Sequence, residues 1–360
     1  MFSVKAKMRS LLELRWQSVL SDYVTAIAWS PDGKMLAVCS AAGEVVLYAT
    51  RTFDSIVLQT ATGSSIDCLA FSHDGQFLAA SGQAGTVQIW QLTRTGFELI
   101  KTLTNASAWI DQLQWSPIKN QIAFSLGKTV QIWDAETQQS VTTLDFNESS
   151  IGDIAWHPSG ESISLGGYQG IKIWMTAKWE EDPYQFIIPS ASTTIAWSAS
   201  GRYLASGNLD RTLSVLEWGN PAPWMMSGFP GKVRQIAWSD RPVRNDAPLL
   251  ASASAEGIVV WEKHEDEQFG WESRVLGQHD GYVQAVRFQP NTTLLASASE
   301  DGSIVLWWQA ASMTQILEGA PDGFSYLAWH PQGSHLAAGG QQGELLVWSQ
   351  PSRGQGFKRR

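Results

Sequence analysis

Six histidines, two cysteines and 34 acidic residues are the material from which this chain of 360 residues could build a catalytic or metal centre. An imidazole ligates or moves protons only with partners at close range. Here His73, His157, His264, His279, His330 and His335 are scattered. His330 and His335 are the one close pair; they flank a predicted turn and no third ligand stands near, so no metal site is expected. His157 and His330 each follow a tryptophan and precede a proline, which by repetition is a turn position. Cys39 and Cys68 lie among apolar or small residues in what read as strands of adjacent repeats. Two such thiols make no disulfide framework and are expected to be buried and reduced. Gly166-Gly167 and Gly339-Gly340 fall where strands meet turns, not before a helix, so they cradle no phosphate. No Gly-x-Ser-x-Gly elbow precedes a helix either. The reading is a chain with no catalytic residue, no cofactor and no metal, whose work is done by its surface.

The elements that shape that surface are repeats, most complete between Gln278 and Trp308. Val283 to Phe288 alternates apolar and polar residues, the period of a strand buried on one face. A turn follows at Gln289-Pro290-Asn291, then a second strand over Leu294–Ala298. Glu300-Asp301-Gly302 is a tight turn, Ile304–Trp307 a third strand and Met313–Leu317 a fourth. One such four-stranded sheet cannot bury both faces alone, so copies must stack. An anchor aromatic ends the first strand of each copy: Trp29, Phe71, Trp115, Trp156, Trp197, Trp238, Phe288 and Trp329. Successive gaps are 42, 44, 41, 41, 41, 50 and 41 residues. The third strand ends on Tyr48, Trp90, Trp133, Trp174, Leu216, Trp261, Trp307 and Trp348 in turn. The eighth copy has only three strands before Ser349, and Leu11–Leu20 supplies one strand too many at the other end. Joining the two leaves no open sheet edge.

The period, the Ser-Pro-Asp-Gly turn at Ser30, the Leu-Ala-Ser-Ala-Ser strand and the closing tryptophan resemble the WD-repeat β-propellers, whose repeat is about 40–45 residues with four strands per blade. The resemblance covers residues 11–349 and implies an all-β fold: a single closed propeller of eight four-stranded blades, the last completed by the N-terminal strand. It also implies a hydrogen-bonded set tying a blade together, for which only blade seven has every candidate: His279, Ser297 or Ser299, Asp301 and Trp307. The turns of most other copies lack the acid, and their cohesion is expected from tryptophan burial. By the same resemblance, partners bind the rim where the first strands begin. Six residues before the anchors, or next to that position, stand Tyr23, Trp109, Lys232, Tyr282 and Phe324, with Tyr168 in a turn on the same face. These are the candidate binding residues for a protein or peptide, since aromatic side chains dominate interface energetics.

Only 16% of residues are charged, 44% are hydrophobic and 19 are tryptophan, a composition for sheets packed face to face with almost no helix. A net charge of −9 lacks the attraction to phosphate behind most nucleic-acid affinity, so no nucleic-acid partner is expected. No apolar run is long enough to cross a bilayer, and no leader with an apolar core precedes a cleavage site. The expectation is a cytoplasmic, monomeric scaffold with disordered tails at 1–10 and 350–360. Lys5, Lys7, Arg9 and Arg15 at one end, and Arg353, Lys358, Arg359 and Arg360 at the other, are basic and would dock on a larger complex or a membrane surface if the protein were an assembly factor instead. Blade six carries two further features: an insertion over 239–248, read as a loop, and a charged run over 262–267. Together they are either a solvated surface or a second docking site.

Overall fold

The computed structural model describes residues 10–105 and 108–351; the two predicted tails otherwise fall outside them. Among the described residues there are eight antiparallel four-stranded sheets and one short 3₁₀ turn, Glu267–Phe269. Seven blades are continuous in sequence, at 24–59, 66–104, 113–145, 153–187, 192–226, 235–276 and 283–318. The eighth takes three strands from 324–349, and Glu13–Val19 pairs antiparallel with Glu344–Ser349 as its outer strand. Each innermost strand packs on the next, and that of blade eight packs on that of blade one, so the ring is closed. Eight blades and the terminal closure are as the repeat count predicts. Arg15, read as part of a basic tail, stands inside this closing strand where the register shifts.

The apolar core is divided accordingly. Eight buried clusters lie one at each junction between neighbouring blades, because a sheet whose two faces are both apolar must find a neighbour on each. Directed hydrogen bonds add to this packing, and they repeat around the ring. The anchor indole N–H of one blade donates to the carbonyl just before the anchor of the preceding blade: Trp115 to Ala70, Trp156 to Gln114, Trp238 to Ala196 and Trp329 to Arg287. Trp197 differs, donating to Ser164 Oγ at 3.0 Å. After the anchor, the side chains of His157, Gln289 and His330 reach the carbonyls of Gly201, Gly333 and Gly33 in the turn of the following blade. Gly33 has φ +72°, and a Cβ there would lie 2.1 Å from His330 Nε2, so glycine serves both the backbone and the close approach. A bulge near the start of several innermost strands supplies a third tie, through Thr25 to Ile66 O and Ser325 to Val24 O. The junction of blades eight and one carries all three: Trp29 to Ala328 O, Ser325 to Val24 O and His330 to Gly33 O.

Two readings of blade six need correction. The insertion is not a loop: the first strand runs over Gln235–Arg244 and the second over Ala247–Ser254, with Pro242 opposite Pro248 and Arg244 opposite Ala247. Asn245 and Asp246 take φ of +50° and +56°, the conformation a two-residue hairpin demands and these two residue types tolerate. The charged run is not wholly solvated either, because Lys263 is only 3% exposed. The hairpin is held to the run through Arg244 to Glu262 at 3.2 Å and Asn245 Nδ2 to His264 O at 2.8 Å, and to the fourth strand through Arg244 to Glu272 at 3.3 Å.

Candidate functional site

The innermost strands surround a central channel of about 610 Å³. Its walls are charged in two arcs. Asp67, Asp111 and Asp153 line it from blades two, three and four, and Arg234 and Arg287 from blades six and seven. None of these five forms an ion pair among the described residues. Asp67 and Asp111 stand four residues before their anchors and Asp153 three, so lining up the first strands of the copies, rather than only their ends, would have shown the acidic arc.

Burial pushes the carboxyl of Asp153 up to about 6. Its hydrogen bonds from the N–H of Ile195 and Ile154, both at 2.8 Å, and from Thr194 Oγ1 only partly offset that desolvation. Cys68 also lines the channel, its thiol against Asp111 O at 2.9 Å, and burial drives its pKa far above the ordinary thiol value. Cys39 is pushed up to about 12 by the same cause. Thiols held protonated in this way are poor nucleophiles. Among the described residues no three His, Cys, Asp or Glu side chains converge on a metal position. His330 and His335 share Ser334 Oγ, at 3.0 and 2.8 Å, and burial lowers the pKa of both.

The predicted rim residues divide three ways. Trp109 is 58% exposed, yet its indole N–H donates to Asp67 Oδ2 at 2.7 Å, which ties an exposed ring to the acidic arc. Tyr282, 47% exposed, has the Arg234 guanidinium 5.5 Å from its ring centroid over the opposite arc. Tyr23 is half-buried, with a phenol pKa raised by burial, Glu300 and Asp67, and Lys232 is exposed. Tyr168 is exposed but lines a separate small recess with Glu148, Lys172 and Ile187. Phe324 is not on the surface at all: it is 0% exposed, packed in the junction of blades seven and eight 6.2 Å from the Trp348 ring. It begins an innermost strand with its side chain toward the core, and counting residues back from the anchor could not tell that from a side chain at the rim.

In blade seven, His279 Nδ1 lies 2.9 Å from Asp301 Oδ2 and its Nε2 lies 2.8 Å from Ser297 Oγ, which also receives the Trp307 indole N–H at 2.9 Å. Ser297 is therefore the member at the centre of the set. Ser299 instead donates to Gly281 O and accepts the Asp301 N–H.

Comparison with known proteins agrees with this geometry. The family profile for the WD domain, G-beta repeat, matches residues 15–48, 55–91, 270–307 and 312–349. That for the eukaryotic translation initiation factor eIF2A matches 84–210. Relatives include protein HIR1 of Cryptococcus neoformans var. neoformans, 28% identical over 53% of this chain and 25% of that protein. The B-type cell cycle switch protein ccs52B of Medicago truncatula is 23% identical over 68% of this chain and 50% of its own. The protein transport protein sec13 of Aspergillus fumigatus is 25% identical over 64% and 88%. The chain thus spans a quarter to a half of the first two. No helix among the described residues is long and apolar enough to cross a membrane. In four matched repeats and in a closed ring of eight four-stranded blades, the chain resembles the WD-repeat β-propeller proteins.

Proposed function

We propose that this protein is a non-enzymatic scaffold that holds a segment of a protein or peptide partner across the mouth of its channel. The reading rests on Trp109: a ring more than half exposed and fixed by a hydrogen bond to a channel carboxylate has its geometry set before any partner arrives. Such preorganised aromatic anchors lower the ordering cost of association. Tyr282 and Arg234 are the counterpart on the far side, with Tyr23 and Lys232 between. The charge arcs give the partner a direction, its basic group toward Asp67 and Asp111 and its acidic group toward Arg234. Affinity capture with the intact chain tests this. Trp109→Ala and Tyr282→Ala should each lose partners that the control Trp308→Ala, on an exposed outer site, retains. Retention of every partner by both rim variants would refute the proposal.

A further inference from the structure

The junction of blades five and six packs apolar side chains of both blades against one another. Blade five has the shortest outer strand among the described residues, Trp224–Met226, held by three ladder pairs. Its third strand carries Leu216 where other copies have an aromatic. Yet this junction is packed with rings: Tyr203, fully buried, lies 6.0 Å from Trp238 and 5.6 Å from Trp271, and Trp224 lies 6.3 Å from Trp271. Into them runs Lys263 from the third strand of blade six. Its Nζ is 4.7 Å from the Trp224 ring centroid, 5.3 Å from that of Tyr203, 3.2 Å from the Tyr203 hydroxyl and 3.8 Å from Glu217 Oε2. Glu217 is itself fixed by Arg202 Nε at 2.8 Å.

A lysine at a strand end normally turns its ammonium out to water. Turning it inward loses that hydration and needs compensation, which here comes from two ring faces, a phenol oxygen and one carboxylate. An apolar side chain would fill the same space without the desolvation cost. We infer that the junction is an alkylammonium-binding site whose resident ligand is Lys263, and that the charge on Nζ, rather than the bulk of the stem, retains Trp224 and with it the short outer strand of blade five. Gly270 fits this role: its φ is +66° and a Cβ would come within 2.5 Å of Trp224 Cδ1, so the backbone is cut away to let that ring reach the lysine.

Chymotrypsin cleavage of the full chain between Trp218 and Ser227 reads out release of the strand. Lys263→Met, which keeps the stem and removes the charge, should be cut there at least tenfold faster than the unsubstituted protein. Lys263→Ala should be cut as fast and be protected by millimolar n-propylammonium, but not by n-propanol, which has the same shape without the charge. Resistance of Lys263→Met, or equal protection by the alcohol, overturns the inference. Should Lys263→Ala not fold, Lys263→Arg against Lys263→Met decides: the charged variant must resist cleavage better, and parity between the two overturns the inference equally.

Discussion

Blade seven and the junction of blades five and six solve one problem in two ways. Each must hold a third strand and its bulky side chain against the rest of the ring. Blade seven does so with directed bonds: one imidazole bridges a carboxylate and a serine, and the serine receives the indole N–H. Every polar group buried there has a partner, so the set is specific in geometry and intolerant of losing a member. Blade five has Leu216 where that indole would stand and relies on a ring-lined space around Lys263, in which the Trp271 indole N–H is buried without a partner. The cation is held by its position over ring faces rather than by a closed set of directed bonds, and the unmet Trp271 donor remains a cost to that junction. Degenerate repeats can therefore persist in a closed ring when a neighbouring blade supplies the tie.

The largest separation between the two regions should come from His279→Ala. It removes one partner from each of Ser297 and Asp301 and should cost up to about 3 kcal/mol, the top of the range for buried groups that lose a partner. His264→Ala, at the half-buried edge of blade six, should cost under about 1 kcal/mol. Urea unfolding of the three proteins gives both numbers; a His279 variant no weaker than the His264 one would break the contrast. On the other side, Gly270→Ala should cost about 2 kcal/mol, from a positive φ combined with the approach to Trp224. Gly63 has φ +79° but open space around it, so Gly63→Ala isolates the backbone share at about 1 kcal/mol. Equal losses at the two glycines would mean that the Trp224 ring yields freely.

The repeats made the fold legible. The anchor spacing, the Ser-Pro-Asp-Gly turn, the surplus strand at the N-terminal end and the missing one in the last copy specify eight blades and their closure, because period-2 patterning and turn chemistry are local properties of the chain. The insertion of blade six misled for a local reason too: Pro242 and Pro248 read as loop, yet they face one another across a hairpin whose Asn245-Asp246 turn joins the strands. The site was less legible. Trp109 and Tyr282 could be placed at the channel mouth by counting, but their partners Asp67 and Arg234 come from other blades. Phe324 and Lys263 show the limit most clearly. Whether a side chain at a strand end turns in or out depends on the space its neighbours leave, which no single repeat encodes.

The dependence of stability on pH separates two aspartates by sign. Burial opposes ionisation of Asp301, but hydrogen bonds from the Ser303 hydroxyl and N–H, from His279 and from the Asp280 N–H outweigh it and hold the carboxyl below its ordinary value of 3.8. A lowered folded-state pKa contributes stability that is present above the ordinary value and lost as pH falls through the folded one. Asp153 runs the other way. Its folded-state value is raised to about 6, so between pH 3.8 and 6 the folded chain binds more protons than the unfolded one, and stability drains away as pH rises through that window. Asp301→Asn should therefore remove acid sensitivity below pH 4, whereas Asp153→Asn should flatten the decline between pH 4 and 6. Thermal melts of the three proteins from pH 3 to 7 test both slopes. If Asp153→Asn left the upper slope unchanged, the channel carboxylate would be as well solvated as a surface one, and the acidic arc would offer a partner's cation a screened surface in place of a partly dehydrated site.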